Sequence, residues 1–191
     1  NRTKTWGSLL NSPRTPDQTE TGLFWTANAG PQYSGMLENL ALTHSLDLLD
    51  TARLYAMTFT AYGDAVIGCL NAKYHFNFWR PVTAIQEGDS DGNPATLADP
   101  SWVPLAPTPN HPEYPAAHGC ATGAVTSVIA AYFHTPNLAL NVTSTYGIPP
   151  VLGGGTQTTT RSFSSTKDLL RDVQLARIYG GMHFHHSIIQ G

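Results

Sequence analysis

LDLLDTARLYAMTFTAYGDAVIGCLNAKYHF, residues 46–76, is the stretch whose reading decides the fold. Wound as a helix, it is apolar on nearly every side: Leu48, Leu49, Leu54, Tyr55, Met57, Phe59, Ala65, Val66, Ile67 and Leu70. A helix apolar all round is usually central and buried, so this segment is expected to run through the core. Ser45 has the right chemistry for its N-cap, and Asp47 falls in a first turn where the helix dipole favours an acid. Gly63 and Gly68 would allow a close neighbour or a kink.

Working outward, Asn77 to Ile85 reads as a second helix with Pro81 early in it, where proline is tolerated. Gln86 to Ala117 is proline-rich and reads as a long connection, a feature that is often functional. His118 to His134 is a helix of small residues, ended by Pro136. Asn137 to Phe163 reads as loop, with Pro149-Pro150 and Gly153-Gly154-Gly155. Ser165 and Asp168 have capping-box spacing and open a last helix that runs from Thr166 toward the chain end. On the other side, Gly35 to Leu42 is expected to form a short helix. Residues 1–34 carry Pro13, Pro16, Gly30 and Pro31, and read as an irregular arm. No segment alternates apolar and polar residues over a strand's length. The expected fold class is all-α, with an arm at 1–34 and a helical domain at 35–191.

The chain has 191 residues, 41% hydrophobic and only 12% charged, with a formal net charge of −3. That length fits one domain with a real core. The charge gives no basic field to draw nucleic acid, so any anion site must be a local cluster of cations. Between Tyr114 and Thr160 there is no Lys, Arg, Asp or Glu, yet polar and breaking residues interrupt the run, so a membrane span is not expected. Cys69 and Cys120 read as small buried residues on helices. Asn1-Arg-Thr and Asn141-Val-Thr match the N-glycosylation triplet, from which a secreted, periplasmic or extracellular location is expected. The chain opens at Asn1 rather than Met and stops at Gly191 within a helical pattern; it is expected to be a portion of a longer protein.

Three clusters carry the chemistry. Lys73 and Arg80 lie seven apart, about two helical turns, so a continuous helix would place both cations on one face. Pro115-Ala116-Ala117-His118 stands at a helix entry, where free N–H groups attract anions. Arg177 and His183 lie six apart near the end, able to reach a pocket at one end of a shared helix. Three cations with no carboxylate beside them would repel one another unless an anion sat between them. Lys73, Arg80, His118, Arg177 and His183 are therefore expected to line one pocket. Tyr74, Phe76, Phe78 and Trp79 read as core, with one or two walling that pocket.

Together these clusters resemble the superfamily of vanadium-dependent haloperoxidases and type 2 phosphatidic acid phosphatases. The family pattern is K-x6-R-P, then P-S-G-H, then S-R-x5-H-x3-D. This chain matches it with Lys73, Arg80-Pro81, Pro115, His118, Arg177 and His183, over residues 73–183. Four positions depart. Ala116 replaces the serine that contacts the anion, Ala117 a glycine, and Ala176 the serine before the arginine. Ser187 stands where phosphatases carry the aspartate that orients the histidine.

The resemblance implies a helical bundle and a vanadate cofactor. It implies that Lys73, Arg80 and Arg177 bind the oxyanion with the Ala117 N–H, that His183 ligates vanadium axially, and that His118 and Lys73 assist catalysis. Hydrogen peroxide and halide are then the substrates, with a small organic acceptor as a further partner; a homo-oligomer is left open. In this family the position seven before His118 is phenylalanine in chloroperoxidases and histidine in bromoperoxidases. His111 occupies it here, so bromide or iodide is expected over chloride. An acid phosphatase using phosphohistidine chemistry at His183 is the rival, since phosphate and vanadate are nearly isosteric. Ser187, a weaker partner than a carboxylate, weighs against it. A non-catalytic anion-binding or assembly module is the third reading. A zinc site at His183, His185 and His186 lacks nearby Cys or carboxylate ligands, and Asp89-Ser-Asp91-Gly-Asn93 reads as an acidic turn rather than a calcium loop.

Overall fold

The computed structural model describes residues 2–191. Asn1, the start of the first glycosylation triplet, lies outside the described residues. The chain is mainly helical: α1 (Arg2–Trp6), α2 (Pro16–Phe24), α3 (Ala29–Thr43), α4 (Leu48–Phe76), α5 (Pro81–Gln86), α6 (Ala117–Tyr132), α7 (Thr166–Tyr179) and α8 (His185–Gln190), with two strands between α6 and α7. Among the described residues no helix is long and apolar enough to cross a membrane.

α4 departs from the sequence reading at both ends and in its burial. Its N-cap is Asp47, whose Oδ1 accepts from the Asp50 N–H at 2.8 Å. Ser45 cannot serve, because it sits in the left-handed region at φ 51° while a cap needs extended backbone. Asn77, also left-handed at φ 45°, ends the helix. Lys73 and Arg80 are thus not on one continuous helix. Only the stripe of Leu54, Thr58, Cys69 and Lys73 is buried, against α6. Leu48, Leu49 and Ile67 are 70–87% exposed, as outward faces of a helix with a neighbour on one side. The expected central position belongs instead to α6 and α7, which bury Val125, Ile129, Leu169 and Val173 completely.

The residues read as an irregular arm are mostly helical and supply much of the core. Thr15 and Gln18 form a capping box ahead of Pro16, which occupies the first turn of α2, where its missing N–H is harmless. Phe24, Trp25 and Tyr33 are wholly buried. Trp25 Nε1 donates to Asp172 Oδ2 on α7 at 2.8 Å. Pro16 and Pro31, read as breakers, therefore lie in the first turns of helices, while Pro13 stays in the connection before α2.

The stretch read as loop between Asn137 and Phe163 holds an antiparallel hairpin, β1 (Leu140–Gly147) and β2 (Thr156–Phe163), in register from Leu140 opposite Phe163 to Gly147 opposite Thr156. β1 alternates, with Leu140, Val142, Ser144 and Tyr146 turned inward. Ser144 masks that alternation in the sequence; its hydroxyl donates to Phe24 O at 2.7 Å. Threonine-rich β2 has the branched side chains that suit a pleated surface. Gly153, Gly154 and Gly155 all take positive φ in the connection, which only glycine does without strain.

The last helix is also interrupted. Gly181, at φ 74°, turns the chain between α7 and α8. A Cβ there would fall 2.6 Å from Gly7 O, so the two backbones cross closer than any side chain permits. The Thr3 hydroxyl on α1 donates to His183 O at 2.9 Å. His183 consequently sits on a short anchored turn, off the shared helix face expected for Arg177 and His183.

Candidate active site

Lys73 lies in the last turn of α4, fully buried, and its Nζ donates to Pro112 O at 2.8 Å and Glu113 O at 2.9 Å. The connection between α5 and α6 is thereby pinned over the end of α4. Arg80, the residue before Pro81, is 7% exposed. Its Nε donates to His111 O at 2.9 Å, and Nη1 to Met182 O at 2.9 Å. Nη1 also lies 3.2 Å from His183 Nε2, and Nη2 lies 3.1 Å from His111 Nδ1. A guanidinium can only donate, so His183 Nε2 is an acceptor; His111 Nδ1 also lies 3.2 Å from Pro112 O, which itself only accepts, so Arg80 and that carbonyl compete for the one nitrogen.

His183 is buried with its ring held from both sides. Nδ1 lies 2.8 Å from Glu113 Oε1, which also accepts from the Phe184 N–H at 2.9 Å. The Ser187 hydroxyl donates to Glu113 Oε2 at 2.5 Å. Glu113 is fully buried and was missed in the sequence, where no carboxylate was placed beside the cations. The available signal was a solitary acid between Pro112 and Tyr114, at the edge of a long uncharged run. Ser187 does not contact His183 as a substitute for the phosphatase aspartate; it holds the carboxylate that does.

Arg177 ends α7 at 2% exposure, with Nη1 donating to Trp25 O at 2.9 Å and Nη2 to Met182 Sδ at 2.9 Å. His118 is in the first turn of α6. Arg177 Nε and His118 Nε2 are buried and have no hydrogen-bond partner in the protein. α6 begins at Ala117 with no side-chain cap, leaving its first-turn N–H groups free of one. Arg80, His111, Glu113 and His183 are thus in direct contact, Lys73 grips the same connection, and Arg177 meets Met182 beside His183.

Burial lowers the Lys73 pKa to about 8, with Arg80 adding to the effect. Burial and the neighbouring Arg80 bring Arg177 down to about 9, and burial brings Arg80 to about 10. The imidazoles of His118 and His183 are held well below their ordinary range, by burial first and then by Arg177. Burial pushes Glu113 upward, against the Ser187, Phe184 and cation contacts. Three buried cations therefore stand with neutral imidazoles and one carboxylate, a set of donors whose chemistry can hold an oxyanion. Vanadate fits it: three buried cations supply charge, Arg177 Nε is an unused buried donor, and His183 Nε2 carries a lone pair.

The aromatic residues near Lys73 are less buried than expected: Tyr74, Phe76 and Phe78 are 48–65% exposed. Phe76 and Phe78 join Tyr114, Phe184 and His186 around an apolar cleft of about 430 Å³ next to the His183 turn. Cys69 and Cys120 are free thiols.

Residues 53–191 match the family model described as VCPO second helical-bundle domain. The vanadium chloroperoxidase of Curvularia inaequalis is 29% identical over 153 residues, covering 66% of this chain and 24% of that protein. A crystal structure of the first bacterial vanadium-dependent iodoperoxidase superposes with a TM-score of 0.72 at 26% identity, covering 91% of this chain and 40% of that one. A holo-type bacterial vanadium-dependent chloroperoxidase has a TM-score of 0.75 at 16% identity, covering 99% and 43% respectively, and shares the fold. This chain spans about a quarter of the curated relative and about two-fifths of these structures.

Proposed function

Because the chain belongs to the VCPO second helical-bundle domain family, within the vanadium haloperoxidase superfamily, we propose that it forms the vanadate-holding site of an enzyme that oxidises halide with hydrogen peroxide. The observation that carries this reading is the pair of buried, unpartnered nitrogens, Arg177 Nε and His118 Nε2, among three buried cations. Buried polar groups are nearly always satisfied: a tetrahedral oxyanion is the acceptor that Arg177 Nε lacks, and a hydroxyl carried by it would be the donor for His118 Nε2.

Lys73, Arg80 and Arg177 would hold the anion's oxygens, Arg through its planar fork, with the Ala117 N–H at the helix entry. His183 would give its Nε2 lone pair to the metal. Vanadate, when bound, supplies an oxidised Lewis-acidic centre that activates peroxide toward halide. His118, kept neutral by burial, would accept a proton at its unpartnered Nε2 from incoming hydrogen peroxide. His111 touches Arg80 and brings a second imidazole to this proton balance, which favours bromide or iodide over chloride.

One observation favours phosphatase chemistry as the second reading. The Glu113 contact orients a neutral His183 for attack on phosphorus, the role for which Ser187 alone was too weak. The protein is to be loaded with orthovanadate, given hydrogen peroxide and each halide, and assayed in parallel for phosphate-ester hydrolysis. Vanadate-dependent halide oxidation is expected. Ester hydrolysis without halide oxidation would transfer the site to the phosphatase reading, and neither activity would leave an anion-binding module.

A further inference from the structure

We infer that Glu113 is the positioning residue of His183: carried on the connection before α6 and braced by Ser187, it supplies the carboxylate that the chain lacks at position 187. The inference deepens the proposed function and rests on His183 being the group that meets the anion's central atom.

The geometry around Glu113 accounts for every donor at the carboxylate. Oε1 accepts from His183 Nδ1 and the Phe184 N–H, and Oε2 from the Ser187 hydroxyl. Three convergent donors are what an ionised carboxylate accepts. The proton of the neutral imidazole must then reside on Nδ1. That assignment agrees with the opposite side of the ring, where Arg80 Nη1 needs an acceptor at Nε2. The two contacts fix one tautomer and one ring orientation, with the lone pair of Nε2 facing the cations. Such a carboxylate–histidine pairing sets both direction and basicity of a ligating nitrogen. The Lys73 bonds to Pro112 O and Glu113 O hold the backbone that carries the acid. One cation of the site thereby fixes the residue that aims the ligand.

Ser187 explains how a serine can stand at the phosphatase aspartate position. Its hydroxyl carries no charge to set against His183, and it bonds instead to the far oxygen of Glu113. Ser187 O also accepts from the Ala116 N–H at 2.9 Å, tying α8 to the entry of α6. The acid has been relocated in the chain while its place beside the histidine is kept.

The test uses ¹⁵N-edited spectra of the histidine side chains, which report the tautomer with no anion present, together with orthovanadate affinity. The wild type is expected to show His183 as the single Nδ1–H tautomer. Glu113→Ala should give mixed tautomers and weaken vanadate binding by about 10–100-fold. Glu113→Gln preserves shape and an acceptor, and should keep the tautomer while losing affinity. Glu113→Ala combined with Ser187→Asp should restore the single tautomer and recover part of the affinity, which a purely structural role for Glu113 would not produce. A single unchanged tautomer in Glu113→Ala, or wild-type affinity in Glu113→Gln, would overturn the inference. If Glu113→Ala does not fold, the Glu113→Gln affinity decides alone. Failure of the wild type to bind vanadate would count against the proposed function, while the tautomer result would still decide whether Glu113 orients His183.

Discussion

Arg80 Nη1 lies 3.2 Å from His183 Nε2, so a guanidinium rests directly on the lone pair proposed to meet the anion. The same Nη1 donates to Met182 O, which keeps the contact on the turn that carries His183. An arriving anion would draw Arg80 onto its oxygens and free Nε2. Binding should therefore stabilise the fold. At an anion concentration about 100 times Kd, linkage contributes about 2.7 kcal/mol. Urea unfolding with and without orthovanadate is the measurement. Arg80→Met should abolish the increment, because it removes both the charge and the fork.

Anion affinity should fall with rising pH, beginning near neutrality's alkaline side. The sign follows from Lys73: its pKa of about 8 in the free protein means that its charge is present below that value and lost above it. Arg177 and Arg80 keep their guanidinium charges across this range, so the decline is that of Lys73. Titration with phosphate from pH 7.5 to 10 should show affinity dropping from about pH 8. Lys73→Met should bind more weakly throughout and lack the drop.

Stability should decline on mild acidification through His118. Its folded pKa is depressed below the unfolded value of roughly 6.5, by burial before Arg177. Above that value both states are neutral and pH has no effect. Below it the unfolded chain binds a proton that the folded chain refuses, so stability falls as pH falls. His183 acts in the same direction, and raised Glu113 in the opposite one. His118→Phe should flatten the denaturant midpoint between pH 7 and pH 5 relative to the wild type.

Gly181→Ala should cost about 1–3 kcal/mol. The residue has φ 74°, and a Cβ would press on Gly7 O and the Pro104 side chain. Because this turn leads directly into Met182 and His183, vanadate affinity should fall with stability. Gly35→Ala is the control: a Cβ at Gly35 meets nothing within 4 Å, and its substitution should leave both quantities near wild type.

His111→Phe should move halide preference toward chloride. His111 Nδ1 lies 3.1 Å from Arg80 Nη2, and phenylalanine would remove that polar contact and dry the surroundings. Steady-state rates with chloride, bromide and iodide provide the check. An unchanged ratio of the three rates would remove His111 as the selectivity residue.

Local spacing alone determined the helical class, α6 and the start of α7, because their signals lie within one or two turns: Ser165 with Asp168, and small residues ahead of Pro136. It also singled out Lys73, Arg80, His118, Arg177 and His183, since cations are scarce in this chain and stand out. What surrounds them was decided by tertiary structure. The N-terminal helices enter the core because Trp25 finds Asp172 on α7, 147 residues away. The hairpin packs inward on Leu140, Val142 and Tyr146, and Ser144 is accepted on that buried face because it finds Phe24 O, a bond no local pattern announces. α4 looks central in sequence, yet burial depends on how many neighbours pack around a helix, and here one stripe meets α6. Glu113 reaches His183 across 70 residues, through a turn set by the Gly7–Gly181 backbone crossing. A side chain's chemistry is written in its own letter; its hydrogen-bond partner depends on the path of the whole chain.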